Sequence, residues 1–588
     1  MQDAEFASIP LHRARPRAFN IGYLTDARIG GAAKDNAARK GLHIFGYRGY
    51  QSVIRGGHVW FSVRIGDEKI YDHGETIDIL VALNQDAVDH QASHLSKNAF
   101  VIYDSGKIKV DKLEGKGFRL LPIPLLDIAV ETSGDPIVRN VVALGAVMKI
   151  TGIGTDTLHE ILKETFGKKG DKIVEQNVKA ADKGYGYEGV ETAFSLKSDN
   201  KKLYVMDGNT ALSIGAYSAG CKFYAAYPMT PASSILHWFA AHEDKGVFVK
   251  QTEDEIAAIN MTIGAASAGV RAMCGTSGGG FSLMVEGLGL AGMIEAPIVV
   301  VESQRTGPST GLPTKTEQGD LLFVMNASQG EFPRIVVAPR DVEECFYVGK
   351  HAFNLAEKYQ CPVVIMSDLF LSEHIESIES FDIDRVSIDR GKIATAASEG
   401  RFKRYLLTED GVSPRSIPGT PDLEFTAASD EHNEYGDLVS DVLSGIDEHV
   451  EMRNKMHSKR MRKLETMLKN ESCFAPTVES GAGSHSLVCF GSTTEASREA
   501  VKILKSKGID VGLVSFSYLL PLDSKATADA LKGKKLIDVE VNYTSQLAQI
   551  IKLCTGIDVD YRINKYDGEA ITGDEIARKA EQIIKGVV

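Results

Sequence analysis

The stretch IVVVESQRTGPSTGLPTKTEQGD, running from Ile298 to Asp320, decides how the chain is read. Ile298 to Val301 are β-branched, follow Pro297, and predict a buried strand. The strand opens into a loop of Gly, Pro, Ser and Thr that carries one arginine, Arg305. Loops leaving the carboxyl ends of buried parallel strands are where open α/β sheets bind ligands. A guanidinium offers a planar fork of donors that matches a carboxylate. Thr310, Thr314 and Thr316 add hydroxyls, and Lys315 adds a second charge. Two readings fit these residues: an anchor for a small anion, or a surface loop with a solvated arginine.

Working outward, 588 residues exceed a single core, so several domains are expected. A hydrophobic share of 43% with 25% charged residues is that of a soluble globular protein. The net charge of −13, with no long basic run, argues against a nucleic-acid partner. No apolar stretch reaches the ~20 residues of a membrane span. MQDAEFASIPLHRARPRAF at the start lacks the apolar core of a signal peptide, so a cytoplasmic location is expected. Cys221, Cys274, Cys345, Cys361, Cys473, Cys489 and Cys554 are scattered and form no CxxC pair, which leaves no iron–sulfur or zinc framework within this chain.

Residues 1–196 read as a first α/β domain. Phe19 to Leu24 predicts its opening strand, and Gly30 and Gly31 precede a predicted helix, Ala32 to Lys40. The spacing is not G-x-G-x-x-G; close strand-to-helix packing explains the pair as well as a phosphate cradle does. Arg55 and His58 flank a glycine turn, as anion contacts or as turn stabilisers. Residues 197–384 form a second domain. In Tyr227-Pro-Met-Thr-Pro, Thr230 is placed as an N-cap and Pro231 at the first helical position, giving a helix over Ala232 to Ala241. Thr252-Glu-Asp-Glu opens another helix. Its acids are accounted for by the macrodipole, although Glu255 lies toward the apolar side. Gly278, Gly279 and Gly280 permit close backbone approach to a ligand, with Thr276 and Ser277 at the mouth. Residues 385–480 connect, and Val450 to Asn470 predicts a charged, exposed helix. Residues 481–588 begin a smaller α/β domain. The repeated βα pattern predicts parallel sheets covered on both faces.

Tyr227-Pro-Met-Thr-Pro, Glu255, Gly275-Thr-Ser-Gly-Gly-Gly and Arg305-Thr-Gly-Pro-Ser-Thr-Gly-Leu-Pro-Thr together resemble the 2-oxoacid:ferredoxin oxidoreductases. The closest pattern is an α subunit with a γ domain fused at its N-terminus, of the 2-oxoglutarate type. Glu540-Val-Asn-Tyr-Thr-Ser-Gln-Leu-Ala and Lys459-Arg-Met-Arg-Lys-Leu carry the resemblance to the C-terminus. In the first domain, Arg28-Ile-Gly-Gly-Ala-Ala stands where the family has Gly-Gly-Gln-Gly.

The resemblance implies three α/β domains: a γ-type domain, a thiamine-enzyme pyrimidine-binding domain, and a transketolase-C-terminal-like domain. It implies that a 2-oxoacid is decarboxylated on thiamine diphosphate, that electrons pass through iron–sulfur centres to ferredoxin, and that coenzyme A takes the acyl group. Some members run in reverse and fix CO₂. By position, Glu255 matches the glutamate that favours the imino form of the aminopyrimidine. Thr230, Arg305 and Thr314 match the holders of the substrate carboxylate, and Tyr227, Pro228, Gly278 and Gly279 match cofactor contacts. No Gly-Asp-Gly segment followed by the Mg²⁺ ligands is found: Asp410-Gly411 and Asp567-Gly568 lack what must follow. The resemblance therefore assigns Mg²⁺, the diphosphate and a [4Fe-4S] cluster to a separate β subunit, expects an (αβ)₂ assembly, and makes this chain inactive alone. Three rivals remain: another 2-oxoacid (pyruvate, branched-chain or aryl), a structural subunit on the same fold, and a nicotinamide-dependent dehydrogenase, against which the missing G-x-G-x-x-G counts.

Overall fold

The computed structural model describes residues 18–22, 27–52, 59–198, 201–396, 400–427, 429–479, 481 and 483–587. Arg55 and His58 lie outside these. The chain divides into two compact units, one of residues 1–48 and 58–204, the other of residues 49–57 and 205–588.

In the first unit, Ala18–Gly22, Ile77–Ala82, Leu95–Asp104 and Arg119–Ile123 pair in parallel, and Trp60–Gly66 pairs antiparallel to Ala18–Gly22. The apolar helix Arg139–Thr151 packs with Asp171–Tyr185. The first helix runs over Ala27–Arg39, so Gly30 and Gly31 lie within it and do not form a loop ahead of it. That placement corrects the phosphate-cradle reading, which needed their amides at the helix mouth.

The second unit is built on a sheet in the order Tyr518–Leu520, Ile335–Val337, Val363–Asp368, Val299–Gln304, Ala272–Thr276, Phe223–Ala226, Phe248–Gln251. All neighbours are parallel except Tyr518–Leu520, which is contributed by the C-terminal region. The strand expected over Ile298 to Val301 extends to Gln304 and is buried throughout. Its side chains alternate between two cores: Val299 and Val301 face one, Val300 the other. A five-stranded sheet follows, ordered Thr477–Glu479, Gly512–Phe516, His485–Phe490, Lys535–Glu540, Tyr561–Asn564. Val488, Phe490 and Val514 from it share one apolar core with Val300 and Phe281. Among the described residues no helix is long and apolar enough to cross a membrane.

The helix Ile446–Asn470 departs from expectation. Its spacing predicts an exposed, charged surface, yet Met456, Lys459, Arg460, Lys463 and Met467 are buried. Lys459 and Lys463 each donate to Glu295 at 2.6 Å, and Arg460 forms a fork with Glu431. A basic stripe can therefore be an inward face when its counter-charges come from distant sequence. Burial lowers Lys459 to about 7, because one carboxylate cannot fully compensate two ammonium groups. Burial also pushes Glu295 upward, but Lys459, Lys463 and Arg404 outweigh it and hold the carboxyl below its ordinary range.

Glu295→Gln is expected to destabilise the protein by about 3–5 kcal/mol, since it leaves two buried cations without their anion. Because the Glu295 carboxyl is depressed in the folded state, its contribution is present above about pH 4.3 and lost as pH falls through the acid range. Denaturant titrations should give a wild-type-to-variant gap that narrows on acidification. Equal midpoints at neutral pH would remove the cluster from the stability account.

Candidate active site

Four neighbouring parallel strands deliver the site. Phe223–Ala226 runs into Tyr227 to Thr230, and Phe248–Gln251 leads to Glu255. Ala272–Thr276 leads to Ser277, and Val299–Gln304 to Arg305. Chain order moves from Phe223–Ala226 outward to Phe248–Gln251, then returns to Ala272–Thr276 on the other side. The crevice between Phe223–Ala226 and Ala272–Thr276 is thus a topological switch point, at the carboxyl ends of the strands.

A cavity of about 510 Å³ opens there, with Met229, Ser277, Gly279, Arg305, Thr310 and Asp320 in its wall. The Arg305 guanidinium donates from Nη1 to the carbonyl of Thr230 at 2.9 Å. Among the described residues no carboxylate pairs with it. Burial lowers its pKa, the direction expected of a cation that has lost solvent without gaining an anion. Five N–H groups make the fork, and the Thr230 carbonyl orients it while engaging one nitrogen.

Thr230 reaches the site by its main chain, not as a cap. The helix begins at Ser233 with Ala232 at its N-cap position and no side-chain cap. The helical start predicted at Pro231 is corrected by two residues. Thr314 is half-buried and does not line this cavity, whereas Thr310 does. Thr316 is buried in the loop's own framework, where its hydroxyl accepts from the Phe370 amide at 3.3 Å. Lys315 is paired with Glu569, so its charge is already engaged. Tyr227 is 41% exposed and Pro228 half-buried, at the start of the same loop.

Glu255 opens the helix Glu255–Ser267, whose N-cap Asp254 accepts from the Ala257 amide at 2.7 Å. Asp254 therefore satisfies the helix end, and Glu255 turns inward, only 3% exposed. Thr276 Oγ1 donates to Glu255 Oε1 over a long 3.5 Å. Gly280 makes this possible. A Cβ there would stand 2.5 Å from Glu255 Oε1 and 2.0 Å from Thr276 Oγ1. The triple glycine is the first turn of the helix Gly278–Met293, and Gly279 faces open space. Ser277, at the N-cap of that helix, has a buried hydroxyl without a hydrogen-bond partner among the described residues. The cavity thus combines an uncompensated cation, a helix N-terminus and an orphan hydroxyl, which is an anion-binding set.

Residue patterns alone did not single out Asp320 or Glu302. Asp320 closes the quoted stretch and lines the cavity, and Glu302 is fully buried beneath it. The available signal was a carboxylate embedded in a β-branched strand, two residues before Gln304. The seven cysteines are free thiols, and burial raises Cys274 to about 12, so it is not a ready nucleophile. His374, Glu376 and Glu495 come together as a buried group of metal-ligand type, but none lines the cavity.

The chain matches known proteins along its length. The family model described as "Pyruvate flavodoxin/ferredoxin oxidoreductase, thiamine diP-bdg" matches residues 214–452, and "Pyruvate ferredoxin/flavodoxin oxidoreductase" matches residues 28–187. A 2-oxoacid:ferredoxin oxidoreductase subunit alpha of Sulfolobus sp is 34% identical, covering 96% of this chain and 95% of the relative. The chain belongs to the 2-oxoacid:ferredoxin oxidoreductase α subunits. Within this family of oxidoreductases, the 2-oxoglutarate oxidoreductase subunit KorA of Mycobacterium tuberculosis is 29% identical over 90% of this chain and 84% of the relative. The solved 2-oxoglutarate:ferredoxin oxidoreductase of Magnetococcus marinus, with 2-oxoglutarate, coenzyme A and succinyl-CoA bound, superposes with a TM-score of 0.90. It is 32% identical and covers 97% of this chain and 100% of its own. The middle of the chain is accordingly a thiamine diphosphate-binding domain, and the α-subunit naming implies further subunits.

Gly280→Ala is expected to destabilise the chain by about 1–3 kcal/mol and to abolish activity of the assembled enzyme, because the new methyl displaces Glu255. Thermal unfolding and turnover check this together. Full activity with an unchanged midpoint would mean that the helix start shifts freely and Gly280 is not a constraint.

Proposed function

We propose that this chain is the α subunit, with a fused γ-type domain, of a coenzyme A-acylating 2-oxoglutarate:ferredoxin oxidoreductase. The reaction converts 2-oxoglutarate and coenzyme A to succinyl-CoA and CO₂ while reducing ferredoxin, or runs in reverse. The observation that carries this reading is the half-buried, unpaired Arg305 fork in a cavity at the sheet's switch point. The Magnetococcus marinus enzyme, similar over essentially the whole chain, supports the choice of 2-oxoglutarate. A broader 2-oxoacid range is the second reading, favoured by the Sulfolobus relative's name. Comparing kcat/KM for 2-oxoglutarate and pyruvate on the assembled enzyme decides between them.

Thiamine diphosphate fits the residues present. The Glu255 carboxyl is held out of solvent with a long bond to Thr276, the Ser277 hydroxyl lacks a partner, and Gly279 leaves the surface open. Glu255, Tyr227, Pro228, Gly278 and Gly279 would contact it; of Thr230, Arg305 and Thr314, the Arg305 guanidinium would hold the substrate carboxylate, Thr230 serving it through its carbonyl and Thr314 standing outside the cavity wall. When bound, the cofactor supplies the electron sink that decarboxylation of a 2-oxoacid requires. This chain's residues position and protonate. Glu255 keeps a carboxyl in a water-poor site, where it would meet a ring nitrogen of the cofactor for general acid–base catalysis. Arg305, oriented by the Thr230 carbonyl, fixes one end of the substrate so that its carbonyl faces a single direction.

A β subunit bearing Mg²⁺, the diphosphate site and a [4Fe-4S] cluster completes the enzyme, in an (αβ)₂ assembly that passes electrons to ferredoxin. The exposed Tyr227 beside the cavity is consistent with a partner surface there.

Arg305→Lys should lower kcat/KM about 10- to 100-fold, the loss of one charge-assisted fork. Unchanged kinetics would remove Arg305 from the site. Glu255→Gln should slow exchange of the thiazolium C2 proton for deuterium about 10²- to 10⁴-fold in the assembled enzyme. Exchange at the wild-type rate would refute its acid–base role.

A further inference from the structure

The helices Glu255–Ser267 and Gly278–Met293 carry Glu255 and Ser277 at their N-terminal ends; their opposite ends frame a second cavity, of about 20 Å³, that none of the roles above uses. Ser267 lines it from the end of the first helix and Glu295 from beyond the end of the second, while Arg404 and Arg415 line it from the connecting segment. That volume suits one species the size of a water or a halide and excludes a phosphate or a sulfate. Arg404 and Arg415 are each 4% exposed. Nη2 of Arg404 donates to the Glu295 carbonyl at 3.1 Å, and Nη2 of Arg415 donates to Glu357 Oε1 at 2.6 Å. Nη1 of Arg404 and Nε of Arg415 meet no hydrogen-bond acceptor among the described residues. The rings of Tyr405 and Phe425 lie 4.9 and 5.7 Å from the Arg404 guanidinium, but a ring face carries no net charge. Two buried guanidiniums bordering one small cavity, each with an unused donor, make an anion-binding pair.

Charge points the same way. Glu295 answers Lys459 and Lys463, Glu357 answers Arg271, Arg390 and Arg415, and Arg404 bonds to a carbonyl. Asp389 adds a carboxylate at the exposed edge, and the two helix ends add about half a negative charge each. Among the described residues the cations still outnumber what offsets them. Burial lowers Arg415, and Arg390 and Arg404 push in the same direction. A water would satisfy the unused donors and leave the surplus charge in place; a monovalent anion does both. We propose that this cavity is a halide site, with chloride held between Arg404 Nη1 and Arg415 Nε. The ion ties the connecting segment to the two helix ends and offsets part of the buried positive charge. The Glu295 carboxylate does not expel it, because Lys459 and Lys463 each donate to that group at 2.6 Å. The site goes beyond the 2-oxoacid reading and does not depend on it.

Crystals of the assembled enzyme grown in sodium bromide test this directly, through the anomalous scattering of bromide. A peak is expected between Arg404 and Arg415; a water there in its place overturns the proposal. In solution, thermal unfolding of the assembled enzyme is followed as chloride replaces gluconate, which is too large for the cavity, at constant ionic strength. The wild-type midpoint should rise by about 2 °C or more and then level off, as binding to the folded state requires. Arg404→Gln removes one guanidinium and lies outside the substrate cavity, so it should lose most of that rise. General salt effects act on both proteins alike and cancel in the comparison. If Arg404→Gln does not assemble, the bromide peak and the wild-type midpoint carry the test together. Midpoints that rise equally in both proteins, or a bromide peak without a chloride-specific rise (an adventitious ion only), overturn the site.

Discussion

A parallel sheet forces every strand to hand its next residue to the same edge, and this constraint organises the second unit. Phe223–Ala226, Phe248–Gln251, Ala272–Thr276 and Val299–Gln304 are neighbours, so Thr230, Glu255, Ser277 and Arg305 emerge together although up to 75 residues separate them in sequence. Ala272–Thr276 and Val299–Gln304 are buried on both faces, and Val299–Gln304 cannot slide without exposing Val299, Val300 or Val301.

The fold treats its buried charges in two ways. Two clusters away from the cavity are matched by contact. Glu295 meets Lys459 and Lys463, and Glu357 meets Arg271, Arg390 and Arg415. At the cavity they are left open. Among the described residues Arg305 has a carbonyl but no carboxylate, and neither the Ser277 hydroxyl nor the Glu302 carboxyl has a hydrogen-bond partner. Unmatched polar groups out of solvent are costly. Their meeting at one switch point suits a ligand that completes the arrangement, although the buried Asp538, away from it, likewise has no hydrogen-bond partner among the described residues.

Much of this was legible in the residues. Arg305 in a Gly/Pro loop after a β-branched run, and three glycines after a short strand, gave the crevice its two sides. Glu255 was not separable from its neighbours by residue physics, because Glu253, Asp254 and Glu255 all suit a helix start; only the inward turn after the Asp254 cap distinguishes it. The resemblance to the 2-oxoacid:ferredoxin oxidoreductases identified it, and the relatives bear out that family. Thr230 was misread as a cap because Thr-Pro is a common helix opening, while here its carbonyl serves Arg305. The helix Ile446–Asn470 was misread as exposed because Glu295 and Glu431 lie far away in sequence. Lys315 looked available until Glu569, from the far end of the chain, took its charge. Each miss is a long-range contact that no local pattern encodes.

The account stands on the cavity under the Arg305 loop being the substrate site. A structure of the assembled enzyme with a bound 2-oxoacid tests that most directly. The account predicts the 1-carboxylate on the Arg305 guanidinium, between the Ser277 hydroxyl and the Thr310 loop, with Asp320 at the wall. A 2-oxoacid seated elsewhere, with Arg305 still bonded only to the Thr230 carbonyl, would contradict it.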